Sequence, residues 1–151
     1  MFTKSDLTNR AKSYGYSVKF TDGEIEAYPK NMRGAASFFE SDDEAGRLSI
    51  LATIKADFSS RFKVKLDNIN MSSDARNALQ EWHDYHGADW LESLQMAWMY
   101  GRYDGFSNSN VSGDLQILRN TYGHSIIRLL TQPAKENAAR AVIHKTKGGA
   151  K

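Results

Sequence analysis

Asp22-Gly23 stands between two runs that alternate apolar and polar residues, Tyr16-Ser17-Val18-Lys19-Phe20 and Glu24-Ile25-Glu26-Ala27-Tyr28. A two-residue type I′ turn needs positive φ at both central positions. Asp-Gly supplies that, so the pair predicts a tight antiparallel hairpin. The turn also fixes the register: Phe20 falls opposite Ile25 and Val18 opposite Ala27 on one face. Lys19 falls opposite Glu26 on the other, an attractive cross-strand pair. Side chains alternate, so a slip of one residue would turn the whole apolar set to solvent. The chain must hold a sheet with one apolar face, and other elements must cover it.

The flanking residues supply the cover. Thr3 is placed to cap a helix with Leu7, Ala11 and Tyr14 on one face, and Gly15 is placed to end it. Residues 35–39 read as a third strand. Ser41-Asp42-Asp43-Glu44 reads as a capping box, opening a helix that buries Ala45, Leu48, Leu51, Ile54 and Phe58. Phe62-Lys63-Val64-Lys65-Leu66 alternates strictly and reads as a fourth strand. Residues 1–68 therefore predict α-β-β-β-α-β, a small antiparallel sheet with two helices on one face, and an α+β class.

The α-β-β-β-α order resembles that of the double-stranded-RNA-binding domain. The resemblance is one of element order only. The GxxG-like loop and the Lys-Lys-rich start of that domain's second helix are absent, and Ser41-Asp42-Asp43-Glu44 in that place would repel phosphate. The small, cysteine-free, motif-poor chain also resembles phage or plasmid accessory proteins.

From residue 72 the pattern turns helical, with predicted helices over 73–85, 88–103, 113–122, 124–130 and 134–145. Residues 72–146 read as a helical half packed as one compact unit, and 147–151 as a disordered tail. Residues 104–113 form the one long loop. An echo at an offset of 36 relates Leu79-Gln80 to Leu115-Gln116, Gly87 to Gly123 and Leu94 to Leu130. Two ordinary helix–glycine–helix corners are the simpler account of it.

Composition narrows the chemistry. With no cysteine, disulfides, thiolate metal sites and cysteine nucleophiles are excluded. No run of about 18 apolar residues is present, and the N-terminus lacks a secretory pattern, so a cytoplasmic protein without a membrane partner is expected. There is no phosphate-cradling Gly-rich loop, no Rossmann fingerprint and no Gly-x-Ser-x-Gly. No catalytic residue and no cofactor is assigned.

The charge is segregated. Residues 72–118 carry Arg76 and Arg102 against seven carboxylates, a net of −5, whereas residues 119–151 carry seven basic residues against Glu136, a net of +6. The first expectation is thus a non-enzymatic binding module contacting nucleic acid through Arg119, Arg128, Lys135, Arg140, Lys145 and Lys147. The alternative is a protein-binding inhibitor or adaptor, acting on a host protein through Trp90, Trp98, Tyr100, Tyr103 and Phe106, residue types enriched at interfaces. A helix apolar nearly all round, as 90–101 is, also suits a subunit interface, so a homodimer is allowed. A third reading is a small enzyme with a histidine-containing site. His83, His86 and His124 are also candidate metal ligands, and Asp42-Asp43-Glu44 is a carboxylate cluster that a solvated helix N-terminus explains better than a Mg²⁺ site. Gly87 ends the helix that carries two of the histidines, so capping of a helix C-terminus is the preferred role and no metal is expected.

Overall fold

A computed structural model describes residues 1–30 and 35–131. The chain is α+β, a three-stranded antiparallel sheet followed by C-terminal helices. Its contacts divide it into two compact units, with the boundary between Phe58 and Ser59.

The first unit begins with α1 (Lys4–Ser13), capped by a reciprocal pair: the Thr3 hydroxyl accepts from Asp6 N–H and the Asp6 carboxylate accepts from Thr3 N–H. Strands β1 (Tyr16–Thr21) and β2 (Glu24–Pro29) pair in the expected register, Phe20 with Ile25, Val18 with Ala27 and Lys19 with Glu26. Asp22 and Gly23 both take positive φ, 51° and 77°. Strand β3 (Phe38–Ser41) adds to β2 and lies two to three residues later than predicted. Leu7 and Ala11 of α1, Ile25 and Ala27 of the sheet, and Ile50 and Ile54 of the next helix form one core. Both helices therefore cover the same sheet face.

That next helix, α2 (Glu44–Asp67), departs from expectation in three ways. The predicted strand over 62–66 is helical. Phe62 and Leu66 continue a four-residue row through Ile50, Ile54 and Phe58, so the apparent alternation was the end of a longer helical pattern. The buried face also differs: Ala45 and Leu48 are exposed, and Gly46, Ile50, Leu51 and Ile54 point inward.

The cap differs as well. Ser41 closes β3, and Asp43 caps α2, its carboxylate accepting from Gly46 N–H at 2.7 Å and its carbonyl from Arg47 N–H at 2.8 Å. Glu44 instead accepts from the Phe2 backbone N–H. Asp42 accepts from Lys4 Nζ at 3.0 Å and Arg47 Nη1 at 2.8 Å. Burial works to raise its pKa, and the two cations outweigh it and hold the carboxyl below its ordinary value. The acidic start of α2 is thus partly neutralised from within.

The second unit takes the end of α2, then α3 (Ser73–His86), a short 3₁₀ turn (Gly87–Asp89), α4 (Trp90–Tyr100), α5 (Asn110–Tyr122) and α6 (Ser125–Thr131). Its core includes Phe62, Leu66, Leu79, Trp82, Leu94, Trp98, Leu115, Leu118, Ile126 and Leu130. Buried indoles require a partner for their N–H. Trp82 Nε1 donates to the Trp90 carbonyl at 3.1 Å and Trp98 Nε1 to the Gly123 carbonyl at 3.0 Å.

Gly87 and Gly123, the two glycines of the 36-residue echo, adopt nearly the same backbone: φ 63°, ψ −132° and φ 59°, ψ −142°. Helix α4 stops at Tyr100 instead of Tyr103, where the Gly101 N–H returns to the Ala97 carbonyl at 2.7 Å. Helix α5 starts three residues early because Ser109 caps it, accepting from Ser112 N–H. The predicted helix over 134–145 and the tail 147–151 lie outside the described residues.

Candidate functional site

The basic residues separate by use. A helix leaves its last carbonyls without intrahelical donors, and cations near that end both donate to them and complement the dipole. Arg119 on α5 does this for α4, its Nε donating to the Trp98 carbonyl at 2.7 Å. Arg76 does it for α2, with Nε on the Leu66 carbonyl at 3.2 Å and Nη2 on the Ile69 carbonyl at 2.8 Å. Lys65 does it for α6, its Nζ reaching the Leu130 carbonyl at 2.8 Å, and its partial burial lowers its pKa. Arg119 is therefore a helix cap in the first place. Arg128 is exposed on α6. Lys135, Arg140, Lys145 and Lys147 lie outside the described residues.

The histidines are placed apart in environment. His83 is 2% exposed, stacked on Phe62 with ring centres 4.0 Å apart, and its Nδ1 is 3.1 Å from the Asp84 carboxylate. Burial lowers its pKa and Asp84 opposes that shift in part. His86 packs on Trp82, and its Nε2 lies 3.0 Å from the Asp104 carbonyl. His124 is exposed at the start of α6. Among the described residues no three His, Asp or Glu side chains converge in a metal-binding group. Among them, too, no helix is long and apolar enough to cross a membrane.

The aromatic segment splits between core and surface. Trp98 and Tyr103 are buried, with the Tyr103 hydroxyl donating to Gln116 Oε1 at 2.7 Å. Trp90 and Phe106 are half-buried against the same core. Tyr100 points outward, 61% exposed, and beside it stand Met96 at 50% and Met99 at 64%. Helical geometry explains the grouping. At 100° per residue, Glu92, Met96 and Met99 fall on one line along α4, with Gln95 and Tyr100 flanking it. Leu94, Ala97 and Trp98 fall on the far side and are buried.

The other large exposed apolar residues, among them Phe39, Leu48, Val64 and Ile117, sit on other elements. Single exposed apolar residues are ordinary, whereas clusters mark interaction sites. A shallow groove of about 280 Å³ runs beside the α4 cluster, lined by Glu92, Ser93, Met96, Ala97, Tyr100, Arg102 and Asp104. Sequence periodicity sets Met96, Met99 and Tyr100 on the side of the helix opposite the Trp90–Leu94–Trp98 line, at i, i+3 and i+4, and leaves open which side faces water.

Comparison of the chain with protein-family models, with curated proteins and with solved structures gives no match in any of the three.

Proposed function

We propose that the protein is a non-enzymatic binding module that engages a protein partner through the outer face of α4. One observation carries this reading. Met96, Met99 and Tyr100, three large apolar side chains each at least half exposed, sit together within two turns of one helix. Leaving such a patch in water forgoes about 25 cal/mol for each Å² of apolar surface, so covering it favours association. Methionine adapts to varied surfaces and tyrosine combines apolar area with a hydrogen-bonding tip, which suits both to interfaces.

The test is site-specific photocross-linking in cells that express the chain, with benzoylphenylalanine at position 100 and, as control, at Lys55, an exposed residue of α2. A discrete protein adduct from position 100 and none from position 55 is expected. Equal yields from both positions would overturn the reading.

A second reading, contact with nucleic acid through the basic end, is supported by the net +6 of residues 119–151 and the exposure of Arg128. Phosphate contacts of this kind are sequence-independent and weaken steeply with salt. Fluorescence anisotropy with labelled DNA and RNA across a salt series tests it. Binding that is absent at low salt would exclude it.

A further inference from the structure

The 36-residue echo extends past its glycines. Ala75 and Val111, Leu79 and Leu115, Trp82 and Leu118, and Leu94 and Leu130 stand at matching positions, and all of them are buried. Gln80 Nε2 donates to Asp84 Oδ1 at 3.1 Å, and at the matching positions Gln116 Nε2 donates to Asn120 Oδ1 at 3.0 Å. The Gly87 N–H returns to the His83 carbonyl, and the Gly123 N–H to the Arg119 carbonyl. The two helix–glycine–helix segments are one geometry used twice, so a difference between them is informative.

The matching glutamines differ at their oxygens. Gln116 Oε1 accepts from the buried Tyr103 hydroxyl at 2.7 Å. Gln80 Oε1 is buried but accepts no hydrogen bond from any described residue. Its amide is held against turning over. Nε2 donates to the Ser59 carbonyl at 3.1 Å and to the Ser59 hydroxyl at 3.2 Å, and exchanging the amide ends would set oxygen against that carbonyl. Tyr103 lies 13 positions before its glutamine. The same step back from Gln80 reaches Asp67, an exposed residue whose carboxylate accepts but does not donate. Asp67 and Gln80 line one cleft of about 220 Å³, with Lys63 and Leu66 of α2 on one side and Arg76 and Asn77 of α3 on the other.

We infer that this cleft binds a phenol, the group that Tyr103 supplies from within in the second segment. The ligand hydroxyl donates to Gln80 Oε1 as Tyr103 does to Gln116. A buried acceptor without a donor is costly, so a ring that brings a donor is selected over the same ring without one. A benzene ring fits a cavity of about 150 Å³, so the cleft has room for the ring and its hydroxyl. Buried Leu66 gives the ring an apolar contact, and Lys63 and Arg76 bring cations to its negative face. Among the described residues the side chains of Lys63, Asp67 and Asn77 enter no hydrogen bond or ion pair, so they part to admit a ring without breaking one. The site lies between α2 and α3, separate from the outer face of α4, and does not depend on how that face is used.

Titration of the isotope-labelled full chain with para-cresol, followed by amide chemical shifts, tests the inference. Shifts should cluster at residues 63–67 and 73–80, with a dissociation constant on the order of 1 mM. Toluene, which lacks the hydroxyl, should bind roughly tenfold more weakly or worse. Gln80→Leu should reduce the affinity for para-cresol to that for toluene. That variant also loses the bonds to Ser59 and Asp84, so a second one keeps the test independent of folding. Asn77→Trp, at an exposed position on the rim, should fill the cleft and abolish binding with the Gln80 bonds intact. N-acetyltyrosinamide separates the two sources of a phenol: tighter binding than para-cresol points to a tyrosine side chain of a peptide, weaker binding to a small free phenol. Shifts absent from both segments at roughly tenfold above the expected constant, or equal affinity for toluene and para-cresol, would overturn the inference.

Discussion

Arg119 Nε donates to the Trp98 carbonyl oxygen at 2.7 Å, so a cation carried on α5 closes the C-terminal end of α4. A charged hydrogen bond of this kind is worth about 1.5–3 kcal/mol. Arg119→Met should lower stability by that amount, read as a lower urea midpoint with an unchanged slope. Arg128→Glu, at an exposed position on α6, should stay within about 0.5 kcal/mol of the native chain. If the basic end also contacts nucleic acid, Arg128→Glu is the variant that weakens binding without unfolding the protein.

Gly46 lies in α2 where a Cβ would sit 1.8 Å from the Ser41 carbonyl oxygen. That neighbour is backbone at the end of β3 and has no rotamer to yield. Intrinsic helix propensity favours alanine over glycine by about 1 kcal/mol. Overpacking of this severity costs about 2–3 kcal/mol or more. Gly46→Ala should therefore destabilise despite the better propensity, and a midpoint equal to or above the native one would show that β3 shifts freely.

Gly87 and Gly123 terminate α3 and α5 with the same unusual backbone, positive φ combined with ψ near −140°. Any side chain is strained there, at about 1–3 kcal/mol. Gly87→Ala and Gly123→Ala should cost amounts equal to within about 0.5 kcal/mol, and the double variant should be additive if the two corners are independent. Thermal or urea unfolding of the three variants measures this directly.

His83 makes stability depend on pH on the acid side of neutrality. Its folded-state pKa is depressed by burial against Phe62, and the Asp84 carboxylate offsets this only in part. The unfolded chain then takes up a proton more readily than the folded one. Stability is complete above the ordinary imidazole value of about 6.5 and is lost as pH falls below it toward the folded-state value. Asp42 acts in a separate window, because its loss begins only below 3.8. Urea midpoints should decline on acidification from about pH 7.5 to 5, and more steeply for the native chain than for His83→Leu.

The hairpin was fully legible because both its determinants are local: Asp22-Gly23 sets the turn, and the flanking alternation sets the face. Residues 62–66 were misread for the converse reason. Five residues with apolar groups at 62, 64 and 66 satisfy a strand as well as a helix, and only the longer row from Ile50 separates them. Val64, exposed on α2, is the residue that made the false alternation. Arg119 was legible as a cation but not as a cap, since its partner carbonyl is 21 positions away in sequence. The apolar character of 90–101 was plain, yet its outward side depends on where α3 and α5 pack. Sequence periodicity alone therefore separated Trp98 from Met96 and Met99 on opposite faces without deciding which face meets water.

All three tryptophans, Trp82, Trp90 and Trp98, lie beyond residue 59. Intrinsic fluorescence excited near 295 nm, roughly the red edge where indole alone absorbs, therefore monitors one half of the molecule and is silent on the sheet. Far-ultraviolet circular dichroism sees both halves. Recording the two signals through one denaturant titration turns the placement of these indoles into a ruler of cooperativity. Superimposed curves mean that the halves melt as a single thermodynamic unit. Separated curves give each half its own free energy from one sample, with no label attached.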